Sequence, residues 1–318
     1  MILVTGAAGF IGINTVLSLN QQGIKDLIVV DHFDLEEKSE KLELFQYYKS
    51  LSVNDCEALL KDDSTHIDLV IHLGAITDTT CNDSQLLKKL NIDFSKKIWN
   101  YCTKNRTHLI YASSAATYGI GNHGFDDDET KISQLEPLNK YGKSKNDFDL
   151  WAVNQSQSPP SWVGLKFFNV YGPYEDNKGK MASVVHWGLR KIYSEKNMNL
   201  FKSLHVDFKD GYQTRDFIFV GDVVNIILFF KDSSFTGIYN VGTGNPQPFL
   251  ILAETLFDSL KIPRDINYID MPEALTDIYQ YYTSANIDKL RSIGYNKKFT
   301  SLKEGIDICK NYFLDTVK

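Results

Sequence analysis

Short apolar runs rich in β-branched residues alternate with longer stretches of helical period through the first half of the chain. The strand candidates are Ile2 to Val4, Leu27 to Val30, Leu69 to His72, Leu109 to Ala112 and Val163 to Phe168. Between the first two, Ile13, Val16, Leu17 and Asn20 keep helical spacing, and Gly23 supplies a stop signal. Between the third and fourth, residues 83–105 carry Leu86, Leu87, Leu90, Phe94, Ile98 and Trp99 on a helical period. Repeated strand–helix–strand order implies a parallel sheet with helices on both faces. Because such crossovers are right-handed, a doubly wound Rossmann-type α/β fold is the economical solution.

Past Phe168 the pattern loosens. Gly172-Pro173 marks a turn, Ala182 to Ile192 reads as a helix, and Phe217 to Val220 and Ile238 to Val241 are again strand-like. The expected organisation is a dinucleotide-binding domain of residues 1–168 and about 215–242. A smaller, interleaved α/β substrate-binding domain then takes about 169–214 and 243–318.

Composition narrows the function classes. With 318 residues, 43% of them hydrophobic, the chain can bury a large core, yet no run of about 18 apolar residues offers a membrane span. The first residues lead straight into a strand, with no basic, cleavable leader, so a cytoplasmic location is expected. A net charge of −6 argues against nucleic-acid or anionic-membrane partners but leaves room for a phosphate-bearing small ligand. Cys56, Cys81, Cys102 and Cys309 have no paired spacing and read as reduced packing residues rather than metal ligands. The acidic run Asp126 to Glu129 reads as a solvated loop.

Gly6, Gly9 and Gly12 lie between the first strand and the first helix. Glycine at these spacings permits a tight turn and close approach to a pyrophosphate, which then meets the free N–H groups of a helix start. Asp31 closes the second strand, 19 residues past Gly12, where a carboxylate meets an adenosine ribose. That carboxylate favours NAD; His32 and Lys38, just beyond, could serve a 2′-phosphate instead, and the residues alone leave NAD and NADP both open.

Hydride transfer to or from an alcohol needs a group that moves the hydroxyl proton. A tyrosine can do so if a neighbouring cation lowers its pKa from about 10. Two Tyr-x-x-x-Lys matches occur, Tyr141–Lys145 and Tyr174–Lys178. Tyr141 opens an expected helix, 141–155, one unit after Ser113-Ser114, and the hydroxyl of Ser114 can hold the same substrate oxygen. Tyr174 follows the Gly-Pro turn in a segment that reads as a loop, so its match to the spacing is accidental.

On the glycine loop, Ser114 and Tyr141-Gly-Lys-Ser-Lys145, the chain resembles the extended short-chain dehydrogenase/reductases, and among them the ADP-L-glycero-D-manno-heptose 6-epimerases. The most specific stretches are residues 111–119, 168–173 with Lys178-Gly179, 215–222 and 239–244, and the resemblance spans nearly the whole chain. It implies that Tyr141 and Lys178 are opposed acid/base groups, that Lys145 contacts the nicotinamide ribose, and that Ser114 binds the reacting hydroxyl. Asn169 would bind the sugar, Arg215 the diphosphate, and Tyr279 would line the substrate site. Phe10, Ile11, Asp31, His32, Lys38, Leu73, Gly74, Ala75, Ile76, Thr77, Asn91 and Val170 would cradle the cofactor, with Lys178 beside it. The resemblance also favours NADP, an ADP-heptose-type nucleotide sugar as substrate, and a homo-oligomer such as a pentamer.

Some positions depart from that pattern. Trp187 stands where a histidine is expected, with His186 one place early; Lys180 replaces a serine; and the stretch from Phe201 to Arg215 is longer. All are expected at the nucleotide end of the substrate. The implied reaction is a redox-neutral inversion at C6 through a transient ketone. A 4,6-dehydratase would need acidic groups where Ala115 and Ala116 stand. A 4-epimerase of hexose nucleotides shares the core motifs, and a non-catalytic dinucleotide sensor would have no use for Tyr141.

Overall fold

The computed structural model describes residues 1–62, 65–276 and 279–317. Its strands are β1 (Ile2–Thr5), β2 (Leu27–Val30), β3 (Lys49–Leu51), β4 (Leu69–His72), β5 (His108–Ser114), β6 (Trp162–Phe167) and β7 (Asn169–Tyr171). They continue with β8 (Met198–Phe201), β9 (Thr214–Arg215), β10 (Phe217–Phe219), β11 (Gly237–Val241), β12 (Gln247–Pro248) and β13 (Ile266–Ile269). Seven of them form one sheet in the order β11-β6-β5-β4-β1-β2-β3, with every neighbouring pair parallel. This is the Rossmann-type doubly wound architecture.

The central strands β1, β2 and β4 are largely apolar because both faces of the sheet are covered. Successive side chains serve opposite cores. Val4 and Val29 pack with Ile13, Val16 and Leu19 of the Phe10–Gln21 helix and Val223, Ile226 and Ile227 of the Val220–Lys231 helix. Leu3, Ile28 and Val30 pack on the other side with Ile98, Trp99, Phe148 and Ala152, from the Phe94–Asn105 and Lys140–Val153 helices. A third core joins the Val184–Glu195, Phe249–Leu260 and Leu302–Thr316 helices with Tyr171, Leu200 and Phe217. Among the described residues, no helix is long and apolar enough to cross a membrane.

Three local features differ from the reading of the sequence. Residues 83–105 are not one regular helix: a wider, π-type turn over Lys88–Asp93 separates Ser84–Leu87 from Phe94–Asn105. Val220 begins a helix rather than ending a strand. The acidic run is not simply solvated. Asp127 is buried and accepts the Asn240 N–H (2.8 Å), while Glu129 accepts the Ile238 N–H (2.9 Å) and pairs with Lys289 (2.6 Å). These carboxylates saturate the free edge of β11, where the sheet would otherwise expose unpaired donors.

His72, at the end of β4, is buried between the hydroxyls of Thr5 (2.6 Å) and Ser95 (2.9 Å). Burial first, and the Lys145 charge second, push its pKa down to about 3. The imidazole is therefore neutral in the fold and protonated more readily when unfolded. Stability from this group is complete above pH 6.5 and lost as the pH falls toward 3, at up to about 1.4 kcal/mol per pH unit. Denaturant unfolding should show His72→Gln losing less stability than the parent between pH 6.5 and 4; equal slopes would rule His72 out.

Candidate active site

In a sheet of this order the chain leaves β1 toward β2 on one side, and from β4 it proceeds to β5 and β6 on the other. A crevice must open between the loops that follow β1 and β4. A cleft of about 1000 Å³ lies there. It is lined by the residues after β1 (Gly6 to Gly12), β2 (Asp31, His32), β4 (Leu73 to Thr80), β5 (Ser114) and β6 (Phe168 to Val170).

The floor is glycine for a geometrical reason. A Cβ on Gly6, whose φ is +68°, would stand 2.6 Å from the Gly74 nitrogen, and one on Gly12 would stand 2.0 Å from the Gly6 oxygen. The loops after β1 and β4 thus touch backbone to backbone. The Phe10–Gln21 helix starts at Gly9 with no side-chain cap and no acidic residue in its first turn. Its first N–H groups are left to an anion. The carboxylate of Asp31 is held by the N–H groups of Ala8 (3.0 Å) and His32 (2.8 Å) and by the Lys38 ammonium. Lys41, which the sequence did not single out, lines the same end. Asn91 stands behind the wall: it accepts from the Ile76 N–H (2.8 Å) and donates to the Ile76 carbonyl (3.0 Å) and Ser144 hydroxyl (3.0 Å). It shapes the Leu73-to-Thr77 segment rather than facing the cleft.

At the other end the cleft gathers Ser114, Tyr141, Lys145, Asn169, Lys178 and Lys180. Ser114 ends β5, and its hydroxyl accepts the Ala116 N–H (3.1 Å) and bonds the Tyr141 side chain. Asn139 caps the Lys140–Val153 helix by accepting the Gly142 N–H (2.7 Å), so Tyr141 and Lys145 fall in its first two turns. A Cβ on Gly142 would meet the Ala116 oxygen at 2.7 Å, so this helix sits tightly on the turn after Ser114. The Lys145 ammonium donates to the Ala112 carbonyl (3.0 Å). Burial lowers its pKa to about 8, partly opposed by Asp149, while burial raises that of Tyr141. The expected lowering of the phenol's pKa by its lysine is not what the site shows: burial raises it, and the influence opposing burial is the Ser114 hydrogen bond.

Tyr174 and Lys178 do not share a helix. Tyr174 has φ +71°, and Lys178 sits on a short 3-10 turn over Asp176–Met181, broken at Gly179. The Lys178 ammonium lies 3.7 Å from Glu175 and 4.8 Å from the Phe10 ring centre. Burial lowers its pKa, with Glu175 opposing.

The remaining expected residues lie elsewhere. Arg215 is buried, 5.2 Å from the ring centre of Tyr279 and 5.4 Å from that of Phe249, and Phe201 lies 6.1 Å from Tyr279. This cluster borders the cleft through Phe249. His186 is outside it, accepting from Arg190 (3.0 Å), which in turn pairs with Asp176 (2.7 Å).

Residues 2–242 match the NAD dependent epimerase/dehydratase family. The ADP-L-glycero-D-manno-heptose-6-epimerase of Fusobacterium nucleatum is 43% identical over 98% of both chains. That of Nitratidesulfovibrio vulgaris is 41% identical over 96% of this chain and 95% of its own. The chain belongs to this family, in its ADP-L-glycero-D-manno-heptose-6-epimerase branch. The crystal structure of the Helicobacter pylori ADP-L-glycero-D-manno-heptose-6-epimerase has a TM-score of 0.81 at 27% identity, covering 99% of this chain and 95% of that one. Family membership makes the chain an isomerase that uses a nicotinamide dinucleotide. The uncapped helix start and the glycine floor fit such a group.

The tight packing at Gly12 yields a prediction. Gly12→Ala must push the phosphate loop open, and affinity for the dinucleotide should fall about tenfold or more, or 1.4 kcal/mol, by calorimetry. An unchanged affinity in a folded variant would contradict this account of the floor.

Proposed function

We propose that the chain inverts C6 of ADP-D-glycero-D-manno-heptose to give the L-glycero epimer, with bound NADP and Tyr141 and Lys178 as the two acid/base groups. The observation that carries the reading is that both side chains line one cleft, reached from different elements, with Ser114 bonded to Tyr141. A dinucleotide held by the Gly6-to-Gly12 loop, Asp31 and Lys38 would supply reversible hydride transfer at C6.

Ser114 holds the reacting oxygen against the Tyr141 phenol. One of Tyr141 and Lys178 accepts the hydroxyl proton as the ketone forms, and the other donates a proton to the oxygen in its second position. Two groups are needed because rotation about the C5–C6 bond moves the oxygen. Burial suits both: a phenol kept protonated is ready to donate, and an ammonium made less basic releases its proton nearer neutrality. Lys145 anchors the ribose, Asn169 faces the sugar, and Lys180, which also lines the cleft, serves the nucleotide end. Arg215 turns its charge to the diphosphate, with Phe201 and Tyr279 around it. His186 has no place in this reading. The cytoplasmic, homo-oligomeric form expected from the sequence goes with it.

NADP rather than NAD is supported by the Asp31 surroundings. The Lys38 ammonium and two N–H groups already occupy that carboxylate, and Lys38, Lys41 and His32 line the same end of the cleft. A 2′-phosphate there meets net positive charge.

Enzyme loaded with NADP and given the D-glycero substrate should yield its 6-epimer with no NADPH accumulating, and deuterium at C6 should be retained. Steady NADPH release, or turnover of UDP-galactose in its place, would overturn the reading. Tyr141→Phe and Lys178→Met should each lower kcat by about 100-fold or more. Lys38→Ala should weaken NADP binding about tenfold (1.4 kcal/mol) while NAD binding changes little; equal losses would return the choice to NAD.

A further inference from the structure

Directly beneath the proton-handling groups lies a charged pair that the reading above leaves unused. Asp149 and Lys166 are fully buried, and the Lys166 ammonium donates to an Asp149 carboxylate oxygen at 2.8 Å. Asp149 lies on the same helix as Tyr141 and Lys145, two turns past the first and one past the second, hence on one face. Its other donors come from β5: the Tyr111 phenol (3.0 Å) and the Ser113 hydroxyl (2.6 Å), next to Ser114. Lys166, on β6, is paired in register with Ser113. It also donates to the Thr117 hydroxyl (2.7 Å), which in turn donates to the Ser114 carbonyl (2.9 Å). The network therefore ties together the strand end carrying Ser114, the turn that follows it and the helix carrying Tyr141 and Lys145.

We propose that Asp149 and Lys166 are positioning residues of the reaction: they lock Ser114 against the Tyr141 helix, and Asp149 supplies the counter-charge to the Lys145 ammonium. A buried ion pair is poor evidence for stability, since a shape-matched apolar or neutral pair often serves the fold as well. Its placement here, bonded to both flanks of Ser114 and one helical turn from Lys145, points to the site.

The charges around Lys145 give the proposal a sign. Of the titratable groups on its own helix and on β4, β5 and β6, Asp149 is the one whose charge shifts Lys145; Tyr141, His72 and Tyr111 are kept neutral by burial, and Lys166 bonds Asp149. Asp149 is the negative group that opposes the desolvation of Lys145. Removing it makes the amine less basic.

The inference rests on the assigned roles of Tyr141 and Lys145, but its test needs no substrate. Competitive acetylation of the cofactor-free enzyme, read by mass spectrometry of the Lys145 peptide, reports how much of that amine is neutral at each pH. In the parent the labelling midpoint should lie about pH 8. In Asp149→Asn the midpoint should move to lower pH, and labelling at pH 7 should rise, by about fivefold if the midpoint falls from pH 8 to pH 7. Because Asp149→Asn strands the Lys166 charge and could unfold, the neutral pair Asp149→Asn with Lys166→Met is measured beside it and should be folded, with its midpoint moved in the same direction. Tyr111→Phe, which removes a hydrogen bond but no charge, should label like the parent.

The alkaline limb of kcat/KM for the epimerase reaction should follow the labelling midpoint. A folded double variant with parental labelling and an unchanged pH profile would overturn the proposal. So would a double variant that never folds, because the pair would then be holding the core rather than the site. Parental enzyme with no epimerase activity but the expected change in labelling would sink the substrate reading alone.

Discussion

Parallel pairing of all seven strands is the constraint from which the rest descends. Strands that run the same way end at the same edge, so the loops after β1, β2, β4, β5 and β6 all meet there, and only the reversal of order between β1 and β4 keeps them from closing over one another. Backbone contact between Gly6 and Gly74 sets the width of that gap. Ser114 and Asn169 are placed by strands, whereas Tyr141 and Lys145 come from the Lys140–Val153 helix and Lys178 from the turn over Asp176–Met181.

Within the cleft, burial is the largest influence on each proton-handling group. It heads the causes for Tyr141, Lys145 and Lys178, raising the phenol and lowering both ammoniums. The two carboxylates that oppose it lie deep: Asp149 under Lys145, and Glu175, fully buried, beside Lys178. Glu175 is itself held by the N–H of Gly172 (3.0 Å) and by Ser183 (2.7 Å). Each lysine thus has one buried anion whose own position is fixed by neighbours. This sustains its basicity against burial without offering the substrate a competing carboxylate.

What could be read in the sequence followed from how local the signal was. Strands β1, β2, β4, β5 and β6 announced themselves because covering both faces favours apolar runs. β3 did not, since Lys49, Ser50 and Leu51 lie at a sheet edge where burial on both faces is not required. The phosphate loop and the Tyr141–Lys145 pair are contiguous, and so were legible from spacing. Lys178 entered only by resemblance, because nothing in its own spacing distinguishes it from a surface lysine. The Leu302–Thr316 helix carries a local signal of its start, the Ser301–Glu304 capping box. The wide turn at Lys88–Asp93 hid in residues that keep ordinary helical spacing. The acidic run misled because charge density says nothing about which donors await it; the partners of Asp127 and Glu129 lie more than 100 positions away.

The Asp149–Lys166 pair is the clearest case of function that sequence alone does not display. Neither residue belongs to a motif, and they meet only because β6 pairs with β5 so that Lys166 falls opposite Ser113. A slip of one residue between those strands would turn Lys166 to the other face of the sheet, away from Asp149. The cost would then be two unpaired buried charges rather than one lost contact. The pair thus penalises the wrong register at the strand end that bears Ser114. An apolar pair could fill the same space but would tolerate the slip, because it has no partner to lose. Specificity of register at a catalytic strand end is a physical reason to keep an ion pair where bulk stability does not require one.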